Sequence, residues 1–365
     1  MPPSGRKAPL SQPSPTSRKK SSTGRLIQAV LAVVVVGAVF IFVLPQIADY
    51  GEVWAVIRRM TWLELATLTA LAGWNQVTYW LVEMSGRPGL GYRQALKITH
   101  TSTALSNILP GGAALGAGLQ ATMYRSYGFA PGDIAISLTA TGIWNTFVKL
   151  GMPVVALALL AIGGDTAAGL VVAAVIGVVI LIGAILAFAA ILASERWAIW
   201  IGERFSLAAG VILRRFGKPA PGDWGRSAAG FRRRTIDLLR DRWISLTLTA
   251  AVSHSSLFLV LLVALRHVGV AEQEVAWTQV FASFAFVRLL SAIPITPGGL
   301  GVVELGLSAT LIAAGGAEAG VVAAILVYRL LTFVVPIPIG ALTYVAWRRE
   351  IARRNTREAE AVSTP

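Results

Sequence analysis

The chain has 365 residues, of which 55% are hydrophobic and 14% charged, and its formal net charge is +14. The mean hydropathy of +0.67 is too high for a soluble domain of this length and indicates a polytopic membrane protein. In such a protein, positive charge orients loops and attracts anionic lipid headgroups, so it does not indicate nucleic-acid binding. The absence of cysteine excludes disulfides, thiolate zinc sites and a cysteine nucleophile.

The N-terminal residues 1–25 are rich in proline, serine and basic residues and contain no acid, which predicts a disordered basic cytoplasmic tail. The apolar run from Leu26 to Leu44 is about long enough to span a bilayer, so we interpret it as an uncleaved first helix and not as a signal peptide. Further spans are predicted at Trp62 to Val82, Ile134 to Ile162, Ala167 to Ala193, Ile244 to Leu265 and Val321 to Trp347.

Two Pro-Gly-Gly triplets, Pro110–Gly112 and Pro297–Gly299, interrupt the two apolar stretches that remain. Proline removes a backbone donor and glycine adds flexibility, so each triplet should break a helix, and such a break survives in a membrane only where it faces protein or water. We therefore predict two re-entrant helical hairpins, at residues 95–124 and 276–314. Interrupted segments at corresponding positions of two halves are typical of a transporter binding site.

Charge supports the hairpin interpretation. Residues 194–243 contain eleven lysines and arginines and five acids, and the C-terminal tail contains five arginines. If both interrupted stretches return to their starting side, the two termini and the 194–243 loop all lie in the cytoplasm, as the positive-inside rule requires. The alternative is that each stretch crosses completely an odd number of times, which would reverse the sidedness of the segments after it.

The predicted fold is thus an all-α polytopic transmembrane bundle with inverted-topology repeats and two re-entrant hairpins. We expect a multi-pass protein of the bacterial inner (plasma) membrane. Its parts are the tail 1–25, a first transmembrane half 26–193, a basic cytoplasmic loop 194–243, a second half 244–347 and a basic cytoplasmic tail 348–365. The loop, with its run Arg232–Arg234, is expected to contact anionic membrane lipids.

The segment from Ile293 to Glu304, which reads IPITPGGLGVVE, and the later Tyr328-Arg329 pair resemble the signature of the lysylphosphatidylglycerol synthase transmembrane region family. Asn107-Ile-Leu-Pro-Gly-Gly, followed by Tyr124-Arg125, resembles the first motif of that family. The resemblance covers about residues 26 to 347, although this chain has Gly112 and Leu115 where the family often has an arginine and a glutamate. The family includes the flippase half of bacterial multiple peptide resistance factors, so the resemblance implies lipid translocation.

Polar side chains at membrane depth are the candidates for a binding site, because charge there is rare. Arg329 and Glu304 either pair with each other structurally or bind substrate, with Arg329 receiving a phosphate and Glu304 balancing it. Arg288 lies in an otherwise apolar helix, and Asn145 and Lys149, one turn apart, could line the same cavity. The remaining predicted substrate-binding residues belong to the two breaks: Asn107, Pro110, Gly111, Gly112, Pro297, Gly298 and Gly299.

We therefore expect a transporter that moves an anionic phospholipid or lipid-linked precursor between leaflets, with no cofactor and no metal. His100, His254 and His267 lack a second ligand at metal spacing and are interpreted as structural. The alternative function is an intramembrane transferase, or an accessory subunit for one, that acts on a polyprenyl-phosphate-linked or aminoacylated lipid. No soluble synthase domain follows Trp347 in this sequence, so we expect no enzyme activity; a homo-oligomer is compatible with the pattern.

Overall fold

A computed structural model describes residues 49–109, 111–163, 168–197, 224–291 and 296–363, with residues 199–200, 203–204 and 206–207 between them. The described part is helical and contains no strand. Its helices are α1 Tyr50–Arg58, α2 Trp62–Gly86, α3 Tyr92–Ile108, α4 Gly112–Ser126, α5 Pro131–Ile162, α6 Ala168–Ala193, α7 Trp224–His267, α8 Trp277–Leu290, α9 Val302–Ala313, α10 Glu318–Arg329 and α11 Pro336–Ser363. The predicted tail 1–25 and the first helix from Leu26 to Leu44 lie outside the described residues.

Among the described residues, four helical segments are long and apolar enough to cross a membrane: Pro131–Ile162, Val175–Ala193, Ala229–His267 and Glu318–Arg357. The chain is therefore a multi-pass membrane protein with an all-α fold, as the sequence predicts. Helix α2 contains the predicted span from Trp62 to Val82 but is not among these four, because polar residues such as Asn75 and Gln76 lie in its middle.

Both interrupted stretches form helical hairpins. Helices α3 and α4 pack against each other around the first break, and α8 and α9 do so around the second. At about 1.5 Å per residue, these helices are roughly 18–26 Å long, which is shorter than a hydrocarbon core of about 30 Å. Glycines bring the paired helices close together. A Cβ on Gly116 would lie 2.8 Å from the Ser102 carbonyl oxygen, and one on Gly306 would lie 2.9 Å from Val287 Cγ2.

The two halves form an inverted repeat. The first half consists of α2, the hairpin α3–α4 and α5, and the second of α7, the hairpin α8–α9 and α10–α11. Helix α2 packs on α7, its counterpart, while α3 packs on α11 and α8 on α5, so exchanging the halves reproduces the contacts. Counterparts α2 and α7 run antiparallel, because Ser85 Oγ lies 3.1 Å from Thr249 Oγ1 whereas Asn75 Nδ2 lies 2.6 Å from Ser256 Oγ. The two-fold axis that relates the two halves must therefore be perpendicular to α2 and α7, because it exchanges two antiparallel helices.

The hairpins open at opposite ends of the bundle. The open end of the first hairpin lies beside the C-terminal part of α11, where Lys97 pairs with Glu350 and Arg354 Nη1 donates to the Ser126 carbonyl oxygen (3.2 Å). The open end of the second hairpin lies beside the last turn of α7, where Arg266 Nη2 donates to the Val275 carbonyl oxygen (2.8 Å). The closed tips of both hairpins therefore point toward the middle of the bundle.

Helices extend into both predicted basic regions. Residues 224–243 of the predicted basic loop form the first turns of α7, and the predicted tail 348–365 is helical to Ser363. The charged residues there include many good helix formers, and charge does not prevent a helix from continuing beyond a membrane. Arg232 also caps α6: its Nε and Nη2 donate to the carbonyl oxygens of Leu192 (2.7 Å) and Ala193 (3.2 Å).

The final predicted span, Val321 to Trp347, is interrupted by a π-helical turn at Leu330–Val334, in which the Val335 amide donates to the Leu330 carbonyl oxygen (2.9 Å). Pro336 and Pro338 lack the amides that regular helical pairing would need here, which favours this turn. Arg329 therefore lies at the end of α10 and not, as expected, near the start of the final helix.

Candidate functional site

The second break is a tight turn that requires glycine. Pro297–Gly299 form a short turn with non-helical backbone at Gly298, and Gly298, Gly299 and Gly301 all have positive φ. A Cβ on Gly298 would lie 2.1 Å from a ring carbon of Phe333, so no larger residue fits without moving that ring. The Gly301 amide, at the start of α9, donates to Glu304 Oε2 (2.7 Å).

A buried ion pair fastens this turn to α10. Arg329 Nε donates to Glu304 Oε1 at 2.6 Å, and Arg329 Nη2 donates to the Gly298 carbonyl oxygen at 3.2 Å. The Glu304 side chain is completely buried, and the Arg329 guanidinium also stacks on the Phe333 ring at 4.3 Å. Of the two alternatives for Arg329 and Glu304, the structure shows the pairing of the two side chains, and two of the arginine's donors are used by the protein.

The first break is built from glycine and neutral hydrogen bonds. Pro110 lies outside the described residues. Gly111, with φ of 68°, precedes α4, and a Cβ on Gly112 would lie 2.2 Å from the Ser106 carbonyl oxygen. Ser106 Oγ donates to the Gly112 carbonyl oxygen (3.1 Å), which closes the turn.

Phe333 joins the two breaks. Asn107 Nδ2, at the tip of the first hairpin, donates to the Phe333 carbonyl oxygen (3.3 Å), and the Phe333 ring lies against Gly298 at the tip of the second. The predicted meeting of both breaks in one region is therefore observed. The backbone amides of two predicted substrate-binding glycines are occupied by the protein itself, because Gly112 donates to the Leu109 carbonyl oxygen (2.8 Å) and Gly299 to the Thr296 carbonyl oxygen (3.2 Å).

A second group of polar residues lies where α5, α7 and α8 meet, and we call it the cationic cluster: Lys149, His254 and Arg288, with Asn145 as a hydrogen-bond partner. His254 Nε2 donates to Asn145 Oδ1 at 2.6 Å. Lys149 and Arg288 lie within electrostatic range of each other and of His254. The predicted residues Asn145, Lys149 and Arg288 are thus brought together across the two halves.

The described residues provide no counter-ion for the cationic cluster. Within the described part of the chain, Lys149 and Arg288 form no ion pair, and the buried Arg288 Nε has no hydrogen-bond partner. Two like charges between apolar helices repel each other, and the loss of hydration raises the free energy of each. An arrangement of this kind attracts an anion, and a guanidinium can meet a phosphate with two parallel hydrogen bonds.

Tyr328 connects the cationic cluster with the second break. Its side chain is buried, and its hydroxyl lies within electrostatic range of both Arg288 and Arg329. Sequence reasoning missed Tyr328 and Phe333 as site residues and took His254 to be structural. A signal for His254 was present, since Ser253, His254 and Ser256 form a polar stripe in the otherwise apolar middle of α7.

Fold and site together define a polytopic helical membrane protein with two broken hairpins and, between its halves, a cationic cluster that has no counter-ion among the described residues. Residues 29–340 match the family described as Lysylphosphatidylglycerol synthase TM region, and the chain belongs to that family. The match spans both hairpins and every predicted site residue. No curated protein matches the chain. The membership relates this protein to membrane lipids and confirms the resemblance seen in the two Pro-Gly-Gly motifs.

Proposed function

We propose that the protein moves a lipid or lipid-linked molecule with an anionic headgroup between the two leaflets. The observation that carries the proposal is the cationic cluster, in which Lys149 and Arg288 have no protein counter-ion in the described part of the chain. Charge inside a membrane protein is expensive and is retained mainly where it binds or conducts something. An anionic headgroup supplies the missing partner, and family membership independently relates the chain to lipids.

In this proposal, Arg288 receives the headgroup phosphate through a pair of hydrogen bonds and Lys149 adds a compact charge beside it. The acyl chains stay in the bilayer. Arg329 and Glu304 hold the second break in shape, while Phe333 keeps the two hairpin tips together. Rocking of the two inverted halves about the cationic cluster would then expose the headgroup first to one side and then to the other.

We propose that the protein lies in the plasma membrane. The end of the bundle at which the first hairpin opens then faces the cytoplasm. Three basic regions come together at that end: the start of α7, the C-terminal part of α11 and the α2–α3 connection. There, Arg234 Nη1 lies 3.8 Å and Arg87 Nη2 lies 3.2 Å from Asp133 carboxylate oxygens. Because the chain has no cysteine, single cysteines at Ser17 and Ser363 can be tested with a membrane-impermeant thiol reagent. Labelling of either in intact cells would contradict this topology.

The alternative, an intramembrane transferase or its accessory subunit, draws less support from the site. Such chemistry needs an acid or base that is free to act on a substrate. Glu304, the acidic candidate named from the sequence, is engaged at both oxygens, by Arg329 Nε and by the Gly301 amide.

Transport by purified protein in proteoliposomes tests the proposal. We expect Arg288→Gln to slow the movement of a fluorescent anionic lipid strongly, and Arg288→Lys to slow it less, because lysine keeps the charge but loses the paired hydrogen bonds. Arg240→Gln is a matched control, since Arg240 is exposed on α7 far from the cationic cluster along that helix. Equal slowing of anionic and zwitterionic lipids by Arg288→Gln would indicate a structural arginine and overturn the proposal.

A further inference from the structure

A buried carboxylate lies at the other end of the first half, away from the cationic cluster. Glu83, near the end of α2, is 8% exposed. Tyr124 Oη and Gln120 Nε2, both on α4, donate to Glu83 Oε1, the second at 2.5 Å. No lysine, arginine or histidine within the described residues pairs with Glu83, although Arg87 lies one helical turn after it. Instead, Arg87 Nη2 lies 3.2 Å from Asp133 Oδ2, and the Arg87 guanidinium stacks on the Phe129 ring, with Cζ 4.4 Å from the ring centroid.

The two carboxyl oxygens of Glu83 differ in the hydrogen bonds that they accept. Both neutral donors bind Oε1, while Oε2 receives no hydrogen bond from the described residues. This is the arrangement that suits a carboxylic acid, in which one oxygen accepts like a carbonyl and the other carries the proton. A buried carboxylate without a cation is costly, whereas the protonated form is not, so the surroundings of Glu83 favour holding a proton.

Two polar side chains lie between Glu83 and an open cavity. The Tyr124 hydroxyl lies close to Ser137 on α5, whose buried Oγ has no hydrogen-bond partner in the described part of the chain. Ser137 lines a cavity of about 270 Å³ together with Gly86, Arg87 and Asp133. This cavity lies at the basic end of the bundle, where water could deliver a proton or accept one. The other charged or titratable groups near this end of α2 are His100 on α3, Asp133 on α5, and Arg234 and Asp237 on α7.

We propose that Glu83 is a proton-binding site that exchanges one proton with water by way of Tyr124 and Ser137, and that protonation of Glu83 from one side of the membrane and deprotonation to the other couple lipid movement to a proton gradient. The coupling rests on the proposed function, whereas the proton site does not. Protonation converts Glu83 from a carboxylate to an acid. In one orientation of the halves the proton comes from water in the cavity, and after the halves have rocked it leaves to water on the opposite side of the membrane. The change in charge between α2 and α4 changes the packing of the first hairpin. The tip of that hairpin contacts the second half, because Asn107 binds the Phe333 carbonyl oxygen.

Infrared difference spectroscopy on the full chain in lipid nanodiscs tests the proton site directly. We expect a protonated carboxylic acid band in the wild type that fades toward alkaline pH and is lost in Glu83→Gln. Glu64→Gln on the same helix is the matched control, because Glu64 is only partly buried and glutamine can also complete its capping box with Thr61. The band should persist in that control. A wild-type spectrum identical to that of Glu83→Gln at every pH would overturn the proposal.

Gradient-driven transport tests the coupling. An imposed pH gradient should accelerate anionic-lipid movement by the wild type and by Glu64→Gln, whereas Glu83→Gln should move the lipid without responding to the gradient, and Glu83→Asp should regain part of the response. If Glu83→Gln responds like the wild type, the coupling is wrong. If the wild type moves no lipid under any condition, the proposed function fails, and the infrared band still decides whether Glu83 binds a proton. Should Glu83→Gln not fold, Tyr124→Phe provides the second variant, with a slower response expected.

Discussion

The two hairpins have the same shape but are held closed in different ways. The first is closed by glycine packing and the neutral Ser106–Gly112 hydrogen bond, and the second by the buried ion pair between Arg329 and Glu304. The same contrast separates the two arginines beside the second hairpin, because Arg329 has a carboxylate partner while Arg288 has none in the described part of the chain. A charged side chain inside a membrane bundle therefore does not by itself indicate a binding site. A charged side chain without a partner in the protein is the better candidate.

The largest effect should come from breaking the ion pair of the second hairpin. Glu304→Gln leaves Arg329 without its counter-ion next to a completely buried position, and removing one partner of a buried pair costs about 3–5 kcal/mol. We expect a large fall in thermal stability in detergent. The double variant Glu304→Gln/Arg329→Gln should lose less than the sum of the two single changes. Strict additivity would show that the two side chains do not stabilise each other.

Gly298→Ala should have the next largest effect. Alanine at a positive φ costs about 1–2 kcal/mol, and here its Cβ would also displace the Phe333 ring. Because Phe333 links both hairpin tips, the variant should lose transport as well as stability. Gly118→Ala is the control, since a methyl group added to this exposed helical glycine would have no atom within 4 Å and should be neutral or slightly stabilising.

Gly111→Ala should cost less than Gly298→Ala. Gly111 also has a positive φ, but its added Cβ would meet nothing within 4 Å. The cost should therefore be the backbone strain alone, about 1–2 kcal/mol. Unfolding temperatures of the two variants, measured side by side, compare the two breaks directly. An equal loss in both would mean that the Phe333 contact contributes nothing to the second break.

The smallest effect is expected at the end of α6. Arg232→Ala removes a side chain that caps the last carbonyl groups of that helix, which is worth about 0.3–1 kcal/mol. Arg233→Ala is the matched control, because Arg233 forms only an exposed pair with Glu195 at 3.8 Å and should change stability by less. A larger loss in Arg233→Ala than in Arg232→Ala would refute the capping role.

Much of the architecture can be predicted from the sequence, because long apolar runs and interrupted runs are strong signals in a membrane protein. The two hairpins, the inverted repeat and the gathering of Asn145, Lys149 and Arg288 were all predictable from those signals. The extension of α7 back to Trp224 could not be predicted, because a charged segment is compatible with either a loop or a helix. The π turn at Leu330–Val334, which places Arg329 at the end of α10, was not predicted either, because Pro336 and Pro338 favour a departure from regular helical pairing without specifying its form.

Native mass spectrometry of the lipids that remain bound to the purified protein tests the central claim most directly. If the cationic cluster holds an anionic headgroup, the wild type and Arg240→Gln should retain anionic lipid in preference to zwitterionic lipid. Arg288→Gln and Lys149→Gln should lose that preference while remaining folded. An unchanged ratio of anionic to zwitterionic lipid in Arg288→Gln/Lys149→Gln would contradict the proposed function, because the two uncompensated charges would then bind nothing.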